Sequence, residues 1–256
     1  MSRVIVIASG KGGVGKTTTA INLAAAINSF DEEVIIVDAN LTTPNVGLHF
    51  GAPIVPVSLN HVLSGKADIA DAIYEHESGT KIIPSSLSVK ELRKINHDKL
   101  KSVAKQLKGI SDYVIFDCSA GLGKEAISAI EAADDVIIVT NPEMPSVTDA
   151  LKTIRVSEDL GKSVIGAIVT RARKTRGAMT IKSIKEMLEV PVLGIVPEDN
   201  NMQEALALKN AIFFTHPNSK ASKSYRKIAA KLVGKSLIEE EPEGFFQRIL
   251  YSFGLR

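Results

Sequence analysis

Eight consecutive residues, Gly10-Lys11-Gly12-Gly13-Val14-Gly15-Lys16-Thr17, bring glycines, two lysines and a hydroxyl to a spacing that suits phosphate chemistry. Glycines admit positive φ and let successive backbone N–H groups turn inward around phosphate oxygens. Lys16 is then placed to bridge the β- and γ-phosphates of a nucleotide, and the Thr17 hydroxyl to ligate Mg²⁺. Thr18 continues the segment into a helix, whose N-terminal partial charge adds to the attraction for an anion. The context agrees: the apolar run Val4-Ile5-Val6-Ile7-Ala8 reads as a strand before the loop, and 17–29 reads as the helix after it. The expected ligand is ATP with Mg²⁺.

Two carboxylates close apolar runs further along. The run 34–37 leads into Asp38-Ala39-Asn40, and 113–116 leads into Asp117. An acidic residue ending a strand beside a phosphate loop suits the magnesium shell, directly or through water, which makes Thr17, Asp38 and Asp117 the candidate metal ligands. The competing role for either Asp is a helix cap or a turn. Asn40, two residues after Asp38, can hydrogen-bond but cannot take up a proton at neutral pH. A plain turn residue is the other reading of Asn40. Cys118 follows Asp117 and is expected to be a small buried hydrophobe.

Holding these groups together requires strands that end side by side. Short Val/Ile-rich runs recur at 4–8, 34–37, 81–84, 113–116, 136–140, 164–170 and 192–196. Most are apolar on both faces, as in parallel strands covered by helices on both sides. Between them lie amphipathic stretches at 17–29, 89–108, 124–133, 146–160 and 178–189. The alternation predicts an α/β fold, a doubly wound and mostly parallel sheet with helices on both faces and ligands at the C-terminal strand ends. The stretch 52–78 shows only short, weak helix patterns. A helix at 219–233 closes a nucleotide-binding domain of residues 1–234; an acidic linker at 235–243 and a short apolar tail at 244–256 follow.

Composition narrows the function classes. With 256 residues, 45% of them hydrophobic, the chain can bury the core of one such domain. A net charge of +2 lacks the basic excess of a general nucleic-acid binder, and no nucleic-acid partner is expected. One cysteine allows no intrachain disulfide, so a reducing compartment is expected. No uninterrupted apolar run is long enough to span a bilayer.

The loop Lys11-Gly12-Gly13-Val14-Gly15-Lys16-Thr17-Thr18 resembles the deviant Walker A loop of the MinD/ParA ATPases, which carry a second lysine early in the loop. The resemblance implies that Lys11 is this signature lysine, reaching the partner's nucleotide across an ATP-dependent homodimer. Asp117-Cys118-Ser119-Ala120-Gly121 is similar to the family's switch II segment, with Ser119 where proline is usual. Asn40 stands where the family usually has the second Asp of Asp-x-Asp, the residue that positions the attacking water, so the resemblance implies that Asn40 orients this water without accepting its proton and that hydrolysis is slow. Ile195-Val196-Pro197-Glu198-Asp199 resembles the turn flanking the adenine, which makes Pro197 and Glu198 candidate nucleotide contacts. Arg171 follows Thr170 where many members have Asn-Arg, so Arg171 is a further candidate at the base. Asn141-Pro142-Glu143-Met144-Pro145-Ser146-Val147-Thr148-Asp149 resembles the strand-to-helix segment that contacts regulators in MinD proteins, and by that resemblance Asp149 marks a regulator surface.

In the tail, Phe245, Phe246, Ile249, Leu250 and Phe253 share one face of a helix. Such a stripe beyond a polar linker suits an interfacial membrane helix and is similar to the C-terminal targeting helix of MinD proteins. The alternative is a helix docked on its own domain. The combined expectation is a MinD-like ATPase that dimerises with ATP, binds membrane through the tail and is released on hydrolysis. It would sit in the cytoplasm and peripherally on the inner face of the cell membrane. The role this resemblance implies is spatial regulation such as division-site placement. A ParA-like DNA partition ATPase, a regulator of flagellum or pilus assembly and an iron–sulfur carrier are the other readings. The single cysteine weighs against the last.

Overall fold

The computed structural model describes residues 2–92, 95–173 and 177–237. Its eight strands are β1 (Arg3–Ala8), β2 (Val34–Ala39), β3 (Tyr74–Glu75), β4 (Lys81–Ile83), β5 (Tyr113–Cys118), β6 (Asp135–Thr140), β7 (Ser163–Ala172) and β8 (Val192–Pro197). They form one sheet in the order β3-β4-β2-β5-β1-β6-β7-β8, parallel except where β3 runs antiparallel to β4. The expected doubly wound, mostly parallel sheet is therefore present. β1 lies at its centre between β5 and β6, so the chain winds away from β1 in both directions. A crevice forms where the winding reverses, at the C-terminal ends of the strands, and the phosphate loop leaves β1 at that end.

The helices are α1 (Lys16–Asn28), α2 (Val46–His49), α3 (Leu59–Leu63), α4 (Val89–Leu92), α5 (Leu100–Leu107), α6 (Lys124–Ala132), α7 (Met144–Asp159), α8 (Ile181–Leu188), α9 (Asn201–Ala207), α10 (Ile212–Thr215) and α11 (Lys220–Val233). Successive strand residues face opposite sides, and this sorts the core into two layers. Val4, Val6 and Ala8 of β1 pack with α3, α5, α6, α7 and α8. Ile5 and Ile7 pack with α1, α10 and α11. Each fully buried Ile or Val contributes roughly 1.5–3 kcal/mol relative to exposure, so both layers hold the sheet. The same alternation puts Ile36 of β2 and Ile115 of β5 in the α1 layer. Two residues on from each, Asp38 and Asp117 return to the α1 side, where the phosphate loop is. No helix among the described residues is long and apolar enough to cross a membrane.

Several expected boundaries change. The helix expected over 89–108 is two helices, α4 and α5, joined by a 3₁₀ turn at His97–Lys99. Asn96 causes the restart: its side chain accepts from the Asp98 N–H and caps the new turn. The helix expected from 178 begins at Ile181, after the Thr180 side chain accepts from the Ser183 N–H. Strands β2 and β5 extend through Asp38-Ala39 and Asp117-Cys118, so both carboxylates are in-register strand residues. Within 52–78 lie α3, a 3₁₀ turn at Ala70–Ala72 and β3, all too short to leave a periodic pattern. The tail at 244–256, the linker from residue 238 onward and residues 174–176 lie outside the described residues.

Candidate functional site

Sequence dictates the phosphate loop through its glycines. Gly13 and Gly15 have φ values of 76° and 94°, a left-handed conformation that side chains rarely tolerate. Gly15 is the N-cap of α1, and its carbonyl accepts the Thr19 N–H at 2.8 Å. Gly10 is glycine for a different reason. A Cβ there would lie 2.3 Å from the backbone oxygen of Asp149 in α7, so the loop begins in direct contact with that helix. Lys11, Gly12 and Gly13 are exposed, whereas Val14 and Lys16 are buried. Burial lowers the Lys16 pKa, and the neighbouring Asp117 carboxylate partly offsets this. A cation so placed is poorly hydrated and open to a stronger anionic partner.

Asp38 and Asp117 pair in register across β2 and β5, as the strand endings suggested, but their surroundings differ. The Thr17 hydroxyl donates to Asp117 Oδ2 at 2.6 Å, and Asp117 Oδ1 is buried without a hydrogen-bond partner. Burial raises the Asp117 pKa to about 6, with Thr17 and Lys16 pulling it back. An orphaned carboxylate oxygen beside a hydroxyl fits a hard cation that takes oxygen ligands. Among the described residues no group of three or more His, Cys, Asp or Glu side chains could hold a metal alone. That suits Mg²⁺, which keeps waters and takes its other ligands from phosphates.

Asp38 is fully buried and more committed. Its Oδ2 accepts the N–H groups of Asn45 and Val46, each at 2.9 Å, and its Oδ1 accepts the Asn40 N–H at 3.3 Å. Burial and the Asp117 charge push its pKa well up. Asp38 thus binds the first N–H groups of α2 from the strand end; it is not the helix N-cap residue, which is Asn45. Asn40 is similarly engaged. Its Nδ2 donates to the Thr43 carbonyl at 2.5 Å, and its Oδ1 accepts from the Thr43 hydroxyl at 3.1 Å. One amide hydrogen of Asn40 remains for another acceptor. Cys118 is buried, with its thiol pushed up to about 12 by burial.

Arg171, Pro197 and Glu198 meet Val14, Gly15 and Thr18 around a cavity of about 400 Å³ at the start of α1. The site residues near the expected base are thus brought together. Arg171 adopts a φ of 49°, a strained conformation for a non-glycine residue. Glu198 pairs with Arg173 at 3.1 Å. Two further residues contribute beyond the candidates read from sequence. The Thr170 hydroxyl lies 2.6 Å from the Val14 carbonyl and 2.9 Å from Asn141 Oδ1, bracing the phosphate loop against β6 and β7. Tyr225 of α11 lines the same cavity, and its hydroxyl lies 3.2 Å from that of Thr19. Asp149 sits away from this cavity on α7, its carboxylate 3.6 Å from Lys152.

Comparison with known proteins places this geometry. A family model described as an AAA domain matches residues 2–164. A second, described as 4Fe-4S iron sulfur cluster binding proteins of the NifH/frxC family, matches residues 107–251. Its cluster chemistry does not carry over, because a cluster needs several thiolates and this chain has one cysteine. An uncharacterized ATP-binding protein of Methanocaldococcus jannaschii is 42% identical, over 100% of this chain and 98% of its own length. The septum site-determining protein MinD of Bacillus subtilis is 30% identical over 100% of both chains. The solved structure of septum site-determining MinD from Pyrococcus horikoshii, complexed with Mg-ADP, superposes with a TM-score of 0.87 at 34% identity. That match covers 91% of this chain and 96% of the other.

Proposed function

The chain belongs to the MinD/ParA family of P-loop ATPases, and from that premise we propose that it is a MinD-like switch that converts ATP binding into membrane occupancy. The observation that supports its nucleotide half is the pairing of Thr17 with Asp117 beside buried Lys16 at the mouth of a glycine cradle, and the apolar positions 245, 246, 249, 250 and 253 in the sequence support its membrane half. The ligands are ATP and Mg²⁺. The N–H groups of residues 12–17 and the α1 N-terminus bind the phosphates. Lys16 neutralises charge at the β- and γ-phosphates, gaining the anionic partner that its burial otherwise denies it. Thr17 and Asp117 hold the cation, with Asp38 acting through backbone and water, and the cation when bound neutralises charge developing on the phosphates. Arg171, Pro197 and Glu198 flank the base.

Hydrolysis is slow, because Asn40 orients water without accepting its proton. Lys11 is exposed at the loop tip, free to reach a second copy's nucleotide, so ATP joins two subunits. Helix α7 offers Asp149 to a regulator. The tail at 244–256 inserts into the membrane interface. Burying its five large apolar side chains gives roughly 8–15 kcal/mol gross at most, while ordering about ten residues costs on the order of 10 kcal/mol. One tail is therefore a marginal anchor. Two tails on a dimer add avidity of roughly 10²–10⁴. Spatial regulation such as division-site placement is the cellular role this mechanism serves.

Liposome co-sedimentation with ATP and with ADP tests it. The full chain should pellet with ATP and stay largely free with ADP, and deletion of 244–256 should abolish pelleting without lowering ATP binding. Equal pelleting in both nucleotides, or a truncated protein that still pellets, would refute the mechanism.

A further inference from the structure

The loop between β2 and α2 carries Asn40; Leu41 and Pro44 are buried and anchor its two ends, and the turn between them, Thr42-Thr43, is tied to the rest of the site by few hydrogen bonds. Residues 40–45 form several hydrogen bonds, but among the described residues nearly all close within residues 38–49: Asn40 with Thr43, Asn45 with Thr43, and Asp38 with the N–H groups of 40, 45 and 46. Among these hydrogen bonds, those to one residue leave this circle. The Thr42 N–H donates to Glu125 Oε1 at 2.9 Å, and the Thr42 hydroxyl donates to Glu125 Oε2 at 3.1 Å. Both carboxylate oxygens of one residue thus grip one residue of the loop, through charge-assisted bonds of fixed geometry. Thr42 and Thr43 are exposed between buried Leu41 and Pro44, so core packing holds the ends of this turn and the Glu125 bonds hold its tip.

Glu125 stands in the first turn of α6, at the end of the segment that begins with Asp117. That segment is itself tied to the phosphate loop. The Gly121 N–H donates to the Ser9 carbonyl at 3.0 Å, and the Ser9 hydroxyl donates to the Lys11 carbonyl at 2.8 Å. A connected path runs from the Lys11 backbone through Ser9, Gly121 and α6 to Glu125, and from there through Thr42 to Asn40. We propose that Glu125 is a positioning residue for hydrolysis: by gripping Thr42 it fixes the Asn40 loop relative to the phosphate loop and the Asp117 segment. This rests on the ATPase reading above, in which Asn40 faces the reacting phosphate. Phosphoryl transfer depends mostly on placement, and a small misplacement of an orienting group lowers the rate while leaving binding intact.

The test compares Glu125→Ala, Glu125→Gln, Thr42→Val and the Glu125→Ala/Thr42→Val double variant in the full chain. Turnover, Mg-ATP affinity by calorimetry, and amide hydrogen exchange over residues 40–46 and 10–17 are measured on each. Glu125→Ala should lower kcat on the order of tenfold, with affinity held within about twofold, since the cradle is untouched. Glu125→Gln, which keeps one acceptor oxygen, should recover part of the rate. The double variant should fall no further than Glu125→Ala, because both changes cut the same tie. Exchange should quicken at 40–46 and not at 10–17. An unchanged kcat, a loss carried by affinity, or fully additive effects would overturn the proposal. If the wild type gave no turnover above Lys16→Ala, the ATPase reading would fail, and unchanged exchange at 40–46 would separately overturn the tie itself.

Discussion

The phosphate cradle and the Asn40 loop lie on the same crevice but are built on different principles. The cradle is a backbone device. Its shape follows from Gly13 and Gly15 at positive φ, and its cation is buried in the α1 layer. The Asn40 loop is a side-chain device. Asp38 binds its exit, Asn40 crosses its middle, and Glu125 holds its outer turn from another element. A backbone device under a helix N-terminus can bind phosphate whatever the neighbouring loop does. A side-chain device can shift with one hydrogen bond. On the proposed reading, binding belongs to the first and the rate of hydrolysis to the second.

The largest expected break is in the cradle. Lys16→Ala removes the only buried cation among the described residues, and Mg-ATP affinity should fall on the order of 10²-fold or more by calorimetry. Unchanged affinity would remove the site assignment altogether. Next comes pH. Burial holds the Asp117 carboxyl at about 6, above its ordinary 3.8, so the proton must leave before a cation is held there. Mg²⁺-dependent nucleotide affinity should therefore rise roughly tenfold from pH 5 to pH 7 and level off above. Asp117→Asn should weaken it at every pH and flatten the profile. A profile that stayed steep in Asp117→Asn would locate the titration elsewhere. The smallest effect concerns the brace. Thr170→Val leaves the Val14 carbonyl without its hydroxyl partner and should cost about 1 kcal/mol, seen as a fewfold weaker ATP affinity with kcat unchanged. A fall in kcat alone would mean that the brace acts on the reaction and would blur the division between the two regions.

The same contrast explains what could be read from residues alone. The cradle was legible because its requirements are local: glycines, Lys16 and Thr17 follow one another between a strand and a helix. The parallel sheet was legible because buried strands such as β1 and β5 are continuous Val/Ile runs. The Asn40 loop was legible only in its residue types. Asp38 satisfies the pattern of a metal ligand and of a helix cap equally, and its bonds to the Asn45 and Val46 N–H groups at the start of α2 depend on a loop whose path no local pattern gives. Thr170 was marked only as standing where relatives often have Asn, and Tyr225 and Glu125 carried no signal, because each acts through a partner far along the chain. The 89–108 segment misled because one amphipathic pattern runs through two helices, and the Asn96 cap that divides them is a single side chain.

The central claim is that ATP joins two copies of this chain through Lys11. Sedimentation velocity on the full chain with Mg-ATP and with Mg-ADP, for the wild type and for Lys11→Ala, tests it most directly. The account predicts a dimer only for the wild type with ATP, and monomers in the other three cases, while Lys11→Ala retains its ATP binding. A Lys11→Ala protein that dimerises with ATP as the wild type does, or a wild type equally dimeric with ADP, would contradict it.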